Sequence, residues 1–380
     1  MALANRFFSE FKGDRAIWMV MVLLSLFSIL IVYSSCGTIA HRQMGGNTEF
    51  YLFRQMMVVA GGWLVVYLCY YMSYARFSQI APYMLVIAAA LLMLTLAFGV
   101  NINDAKRWLR IPLIGMTIQT SDFAKIALVT YVARAIAIKQ ENINDFTSAF
   151  IPIIAPVAVI CGLIAPADLG TAIVLFATCF VMMFVGRVEV KHLASLVLAG
   201  VLVFALLILI GHLVPGSVRT ETWVARVTDF LQNDDGSYQT IQGKIAIAKG
   251  QLFGLGPGNS LQRNFLPSPY SDYIYAIICE EYGIFGAFFI IGLYVLLFFR
   301  VVAMITKAEK KFGSILAIGL CSLICIQALA NMAVSVHLIP VTGVTLPMVS
   351  MGGTSFWFSS MAFGMILSVS KQVEKENETR

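Results

Sequence analysis

From Ala16 to Ala40 the chain carries no charged residue. Nine further apolar runs of similar length follow, at about 55–73, 77–99, 119–138, 147–165, 168–186, 190–214, 273–303, 312–336 and 348–370. A helix needs about 20 apolar residues to cross the hydrocarbon core, where a helix satisfies all its backbone groups internally. The pattern predicts an all-α integral membrane protein, a bundle of about ten transmembrane helices in a single polytopic domain over residues 1–380. Composition agrees: 59% of the residues are hydrophobic and 12% charged, against about 25% charged in soluble domains. The first run is too long for the apolar core of a signal peptide and lacks a small-x-small cleavage site, so it reads as the first spanning helix.

Ten helices put both termini on one side of the membrane. The segments on that side carry fifteen of the 26 lysines and arginines, against ten on the other side, with Lys125 inside a helix. Half of those ten fall in one long loop, which weighs little in the positive-inside rule. The termini are therefore expected in the cytoplasm. Two short external segments hold positive charge against this bias: 41–54, with Arg42 and Arg54, and 101–118, with Lys106, Arg107 and Arg110. The net charge of +6 is thus a matter of topology. No basic stripe interleaved with aromatics indicates nucleic acid.

The long extracytoplasmic loop, about 215–271, is too long for a mere connection. It holds the turn-rich Asn233-Asp-Asp-Gly-Ser237 and the glycine cluster Gly254-Leu-Gly-Pro-Gly258. Trp223–Leu231 and Tyr238–Lys249 have helical spacing and read as short helices on the membrane surface. The tail Lys371–Arg380 reads as charged and frayed. The seven cysteines lie in apolar runs without a Cys-x-x-Cys pair, and the four histidines show no metal-ligand spacing, which argues against a disulfide framework and a protein-built zinc site.

Charged residues at membrane depth are costly and tend to be kept for function or for pairing. Asp272 follows Pro267, Pro269 and Ser271 at the start of an apolar run. Spacing leaves it open between a helix cap and a general base on the outer face, held ionised by the helix N-terminus. Asp122 and Lys125 share a helix face three residues apart. A self-compensating buried ion pair is the favoured reading, and a reach to Asp272 the alternative. Lys106-Arg107-Trp108 is either an interfacial anchor or, as its misplaced charge favours, a pyrophosphate clamp, since guanidinium groups bind phosphate oxygens bidentately. Asp168 opens the sixth helix, where a cap is the simpler reading. The glycine cluster neither follows a strand nor opens a βαβ unit, so it is too weak to claim as a nucleotide loop and reads at most as a flexible loop that lets backbone approach a ligand. Pro340–Ser355 reads as a breaker-rich hairpin between the last two helices, tolerated at membrane depth where it is buried or lines a cavity. Asn331 reads as interhelical glue.

Several motifs occur together and in order: Asp104-Ala-Lys-Arg-Trp108, Gln119-Thr-Ser-Asp-Phe-Ala-Lys125, Pro166-Ala-Asp-Leu-Gly-Thr171, Tyr238-Gln-Thr-Ile-Gln242, Gly254–Ser260, Ser271-Asp-Tyr-Ile-Tyr-Ala276, Glu280-Glu-x-Gly283, Pro340-Val-Thr-Gly343 and Gly352-Gly-Thr-Ser355. In this the chain resembles the SEDS family (shape, elongation, division and sporulation), whose members include FtsW and RodA. The likeness runs from about Arg54 to Ser360. Gly258–Gln262 and Gly343–Pro347 are more similar to FtsW. The usual family residues at Thr120, Asp122, Tyr270 and Met351 are Pro, Glu, His and Tyr.

The resemblance implies a peptidoglycan glycosyltransferase that polymerises lipid II on the outer face of the membrane. It works with a class B penicillin-binding protein and other division proteins. Asp272 becomes the catalytic carboxylate. Lys106, Arg107, Trp108, Asp122, Lys125, Asp168, Gln239, Gln242, Gly256, Asn259, Ser260, Gln262, Thr342, Ser350, Thr354 and Ser355 become substrate-binding candidates. The expected reaction is an inverting displacement with one general base and a polyprenyl pyrophosphate leaving group, with Mg²⁺ or another divalent cation as a candidate cofactor and no organic one. Glu280 and Glu281 read as structural partners. The rival readings are a lipid II flippase or other transporter, and a non-catalytic divisome scaffold.

Overall fold

The computed structural model describes residues 12–37, 48–102, 105–110, 117–213, 220–232, 237–308 and 310–378. Asp104, Arg42, Arg219, the Asn233–Gly236 turn and the Lys106 side chain lie outside the described residues. Ten long helices form the bundle: α1 (Arg15–Ser35), α2 (Thr48–Tyr71), α3 (Tyr74–Phe98), α4 (Thr120–Ile138), α5 (Ile151–Ile164, preceded by a π-turn from Phe146), α6 (Leu169–Val185), α7 (Val190–Leu213), then α10 (Ile274–Ile305), α11 (Lys311–Ser335) and α12 (Thr354–Glu378). Two shorter helices, α8 (Thr220–Gln232) and α9 (Tyr238–Gly250), stand between α7 and α10. Among the described residues, six of the ten are long and apolar enough to cross a bilayer unaided. The polar residues of α4, which include Asp122 and Lys125, are turned inward.

Helix α11 lies at the centre. It is the most buried of the six apolar spans and packs on α4, α6, α10 and α12. Small residues allow the close approaches, as helix association in lipid requires. Gly319 faces Met182 and Val129, and Gly364 of α12 faces Val66 and Cys69 of α2. The outer helices α2, α3 and α5 keep large apolar side chains exposed, including Tyr83, Val86 and Phe98.

The first and last described residues meet at one end of the bundle. Lys12 pairs with Glu378 at 2.6 Å, Asp14 with Arg300 at 2.6 Å, and Lys310 with Glu376 at 3.3 Å. The tail read from sequence as frayed is therefore helical to Glu378: contacts with Lys12, Gly13 and Asp14, just before α1, hold it. The last span correspondingly begins at Thr354, six residues later than its apolar pattern suggested. The buried run Val344–Ser350 is an extended segment with a turn, its polarity satisfied by neighbouring helices.

At the opposite end, the segment 101–118 forms part of a three-stranded antiparallel sheet: β1 (Val100–Ile102), β2 (Ala105–Arg110) and β3 (Thr117–Gln119). Trp108 pairs with Gln119 across β2 and β3. Sequence reading treated this stretch as a connection, because β1 and β3 are only three residues long and β2, Ala-Lys-Arg-Trp-Leu-Arg, shows no clear apolar–polar alternation.

The long loop also differs from a surface layer. Gly243 of α9 approaches Tyr273, and Gly250 approaches Cys279. Helix α9 thus runs parallel to the start of α10, descending with it instead of lying flat. The chain turns back through the glycine cluster, where α10 is broken at Gly283 (φ 63°, ψ −159°). Leu255 N–H donates to the Glu280 carbonyl, Gly256 N–H to the Glu281 carbonyl, and Ile284 N–H to the Gln251 carbonyl. The break frees helical donors and acceptors, and the glycine loop supplies their partners, as non-helical backbone at such depth demands.

Candidate active site

Asp272 lies just before α10, at the end of the bundle that carries the sheet. Ser271 Oγ donates to its Oδ1 at 2.9 Å. Its backbone is fixed from two sides: Asn331 Nδ2 donates to the Asp272 carbonyl at 2.8 Å, and Ser350 Oγ donates to the Ser271 carbonyl at 2.8 Å. The capping reading is overturned. The N-cap of α10 is Tyr273, which makes no side-chain cap bond. The carboxylate is left facing Gly343. Burial pushes the Asp272 carboxyl above the usual carboxylate range. The Asp168 charge adds to this, while Ser271, Arg107 and Arg226 oppose it. The net direction is upward, opposite to the lowering that a helix N-terminus alone would give.

Arg107 projects from β2 toward the same glycine. Its Nε donates to the Ala167 carbonyl at 2.7 Å, and its Nη1 pairs with Asp168 Oδ2 at 3.2 Å. Asp168 is both things sequence reading weighed: it caps α6 by accepting from Thr171 N–H at 3.1 Å and it holds the arginine. The approach of Arg107 to Asp272 is set by Gly343. A Cβ there would sit 3.8 Å from Arg107 Nη1 and 3.8 Å from Asp272 Oδ2. At φ +72° the position also favours glycine. Cation and carboxylate thus flank one small gap with no side chain between them. Trp108, next along the strand, is directed to the other face of the sheet.

Beside Arg107 a narrow recess of about 20 Å³ lies between α3, α4 and α5. Arg107, Asp168, Thr120 and Ser121 form its polar end, and Leu92, Leu96, Leu163 and Ile164 its apolar walls. Thr120 shares a 2.8 Å hydrogen bond with Thr95.

Asp122 and Lys125 form a buried ion pair at 2.7 Å, and Lys125 Nζ also donates to Gln327 Oε1 at 2.9 Å. Among the described residues no contact joins either one to Asp272. Their influence on it is indirect. Gln327 donates to the Thr345 carbonyl, and Asn331, one turn further on α11, donates to the Val344 carbonyl and to that of Asp272. Two amides at i and i+4 therefore pin the 344–345 segment to the Asp272 loop. Gln327 escaped the sequence reading, although an amide four residues from Asn331 in an apolar helix was the available signal.

The other candidates divide. Thr342 packs against Gly170 beside Asp168, with its buried Oγ1 unpartnered. Ser350, Thr354 and Ser355 are scaffold: Ser350 accepts from Leu346 N–H, Thr354 accepts from Gln119 N–H, and Ser355 meets Thr345. Gln239 lies on α9 in a second recess, with the half-buried Gln242 near it. Gly256, Asn259, Ser260 and Gln262 do not reach Asp272. Ser260 Oγ and the Leu261 and Gln262 N–H groups bind the Glu280 carboxylate, and Asn259 Nδ2 donates to Leu255. The physical reason is the break in α10, whose exposed backbone recruits the loop. Glu280 and Glu281 are structural partners of that loop and of Ser34 on α1.

The expected divalent cation does not fit a protein-built site. Among the described residues no three acidic, histidine or cysteine groups converge, and Asp168 is already paired with Arg107.

The profile of the FtsW, RodA and SpoVE cell cycle proteins matches residues 14–375. The chain belongs to this family. A SEDS protein from Bacillus subtilis described as a probable peptidoglycan glycosyltransferase FtsW is 34% identical over 97% of this chain and 93% of its own length. The stage V sporulation protein E of the same organism is 32% identical over 94% and 97%. The SEDS fold itself is matched by a chain of a peptidoglycan synthase complex that coordinates polymerization and crosslinking, with a TM-score of 0.72 at 22% identity, covering 95% of this chain and 98% of that one. Thermus thermophilus RodA gives 0.68 at 23% identity, covering 95% and 97%.

Proposed function

We propose that this protein is a peptidoglycan glycosyltransferase of the FtsW type, which joins lipid-linked disaccharide-peptide units and releases polyprenyl pyrophosphate in septal wall synthesis. The observation that carries this reading is the gap at Gly343, flanked by a carboxylate with a raised pKa and an arginine held by Asp168. Asp272 accepts the proton of the attacking sugar hydroxyl. Its raised pKa suits a general base, which works best when its pKa nears the operating pH. The hydroxyl oxygen attacks the anomeric carbon of the second lipid-linked sugar as the bond to pyrophosphate breaks, inverting that centre. Arg107 binds the departing phosphate oxygens, so the charge developing on the leaving group meets a preorganised cation. The recess beside Arg107, flanked by leucine and isoleucine, is only about 20 Å³, room for about one water, so the lipid-linked pyrophosphate would bind at its mouth, against Arg107. A divalent cation would arrive with the pyrophosphate.

The positive-inside count puts the termini in the cytoplasm and this site on the outer face. A class B transpeptidase is the partner, in keeping with the synthase complex that shares the fold. The test incubates the purified protein, alone and with that partner, with lipid II and looks for glycan chains. Polymer supports the enzyme reading. Lipid II crossing vesicle bilayers without polymer in any pairing would replace it with a transporter, and neither activity would leave a scaffold.

A further inference from the structure

On the far side of the 340–343 segment from Arg107 lies a second recess of about 320 Å³, within the range of small-molecule sites. The segment connects the two. Val341 accepts a hydrogen bond from Arg226 Nη1 at 3.0 Å, Thr342 meets Gly170, and Gly343 borders Arg107 and Asp272. The recess also touches the Asp272 neighbourhood through Thr240, which lines it and lies 3.5 Å from the Tyr273 hydroxyl.

Its lining has a definite chemistry. The Phe230 and His337 rings meet at 5.0 Å, and Tyr238 stands exposed beside them. Gln239, Ser237 and Thr240 add uncharged donors and acceptors. Arg226 is engaged with the Val341 carbonyl, and Asp229, three residues along the same helix, offsets its charge. Burial and the Lys244 charge keep the His337 imidazole below its ordinary pKa. Such a site is poorly suited to a phosphate, which calls for an excess of cations. Aromatic faces with amide and hydroxyl groups suit an uncharged, hydroxyl-rich ring.

We infer that the recess lined by Phe230, Tyr238, Gln239 and His337 binds the N-acetylhexosamine that carries the attacking hydroxyl, as the acceptor subsite of the reaction, with the mouth of the Arg107 recess taking the pyrophosphate-bearing donor. This rests on the polymerase reading for its role, though not for its ligand. An acceptor held there presents its hydroxyl to Asp272 past Gly343, while the donor leaves toward Arg107. The two substrates then enter from opposite sides of one backbone segment.

The test measures binding to the full-length protein in nanodiscs of two probes, a short uncrosslinked glycan strand lacking lipid and intact lipid II. The proteins are wild type, Phe230→Ala, Gln239→Ala and Arg107→Ala. Gln239 is partly buried on a short helix, so its truncation leaves the bundle intact even if Phe230→Ala perturbs α8. The account expects Gln239→Ala to weaken the strand about tenfold, equivalent to one hydrogen bond, Phe230→Ala at least as much, and Arg107→Ala to leave it unchanged. Strand binding in the recess identifies the growing chain as acceptor, whereas lipid II alone binding there identifies the fresh precursor, and both support the subsite. Equal affinity of Gln239→Ala and wild type for both probes would overturn it, as would loss of strand binding in Arg107→Ala. If lipid II gives no polymer but Gln239→Ala still loses strand affinity, the polymerase reading fails and the saccharide site stands.

Discussion

At the residue scale the protein sets a carboxylate with a raised pKa against a guanidinium held by a second carboxylate. A carboxyl whose folded pKa lies above its unfolded value favours its protonated form, so ionising it costs stability as the pH rises through that range. Asp272→Asn should therefore keep or slightly raise the melting temperature near neutral pH while removing activity. In the wild type, polymerisation should fall on acidification at a pH above that at which an exposed aspartate titrates, as a pH–rate profile would show. The Asp122–Lys125 pair is different: both groups are buried and each neutralises the other. Lys125→Met should cost about 3–5 kcal/mol by leaving an unpaired buried charge, and Asp122→Asn in the same chain should restore most of it, measured by thermal unfolding in detergent. The residues of this site were legible in sequence as charges out of place. Their partners were not. That Asp168 serves Arg107, and that Lys125 serves Gln327 instead of Asp272, depends on contacts between residues 61 (168 − 107) and 202 positions apart.

At the element scale two glycine positions decide geometry. Gly343→Ala places a methyl between Arg107 and Asp272 and a non-glycine residue at positive φ, at about 1–2 kcal/mol. It should lower kcat/KM at least tenfold while the protein still folds, a split that steady-state kinetics beside a melting curve would reveal. Gly283→Ala acts elsewhere: its Cβ would run into the Leu252 backbone at the break in α10. It should destabilise by more than about 2 kcal/mol, with the loss visible as faster proteolysis of the 251–264 loop. The apolar runs predicted the helices well because spanning length is a strong signal. The β-sheet, the descent of α9 and the break at Gly283 were hidden, since each depends on which backbone groups a distant segment leaves unpaired. The glycine cluster shows this directly. Its sequence suggested a ligand loop, and the carbonyls freed near Gly283 claim it.

At the scale of the whole molecule, ten helices bring the first and last described residues together at one end of the bundle and the site to the other. Cysteines placed at Ser237 and at Lys375 should label from opposite sides of sealed vesicles, Ser237→Cys from the outside. The end-to-end ion pairs follow from the even helix count that was readable in sequence, whereas the convergence of α6, α10, α11 and β2 on one gap was not. The central claim is that this gap performs base-assisted glycosyl transfer with Asp272 as the base. The most direct measurement is the rate of glycan polymerisation from lipid II, with the partner transpeptidase present, for wild type, Asp272→Asn and Asp272→Glu. The account predicts that Asp272→Asn loses at least about 10²-fold, while Asp272→Glu keeps partial activity with a shifted acid limb. Polymerisation by Asp272→Asn at the wild-type rate would contradict it.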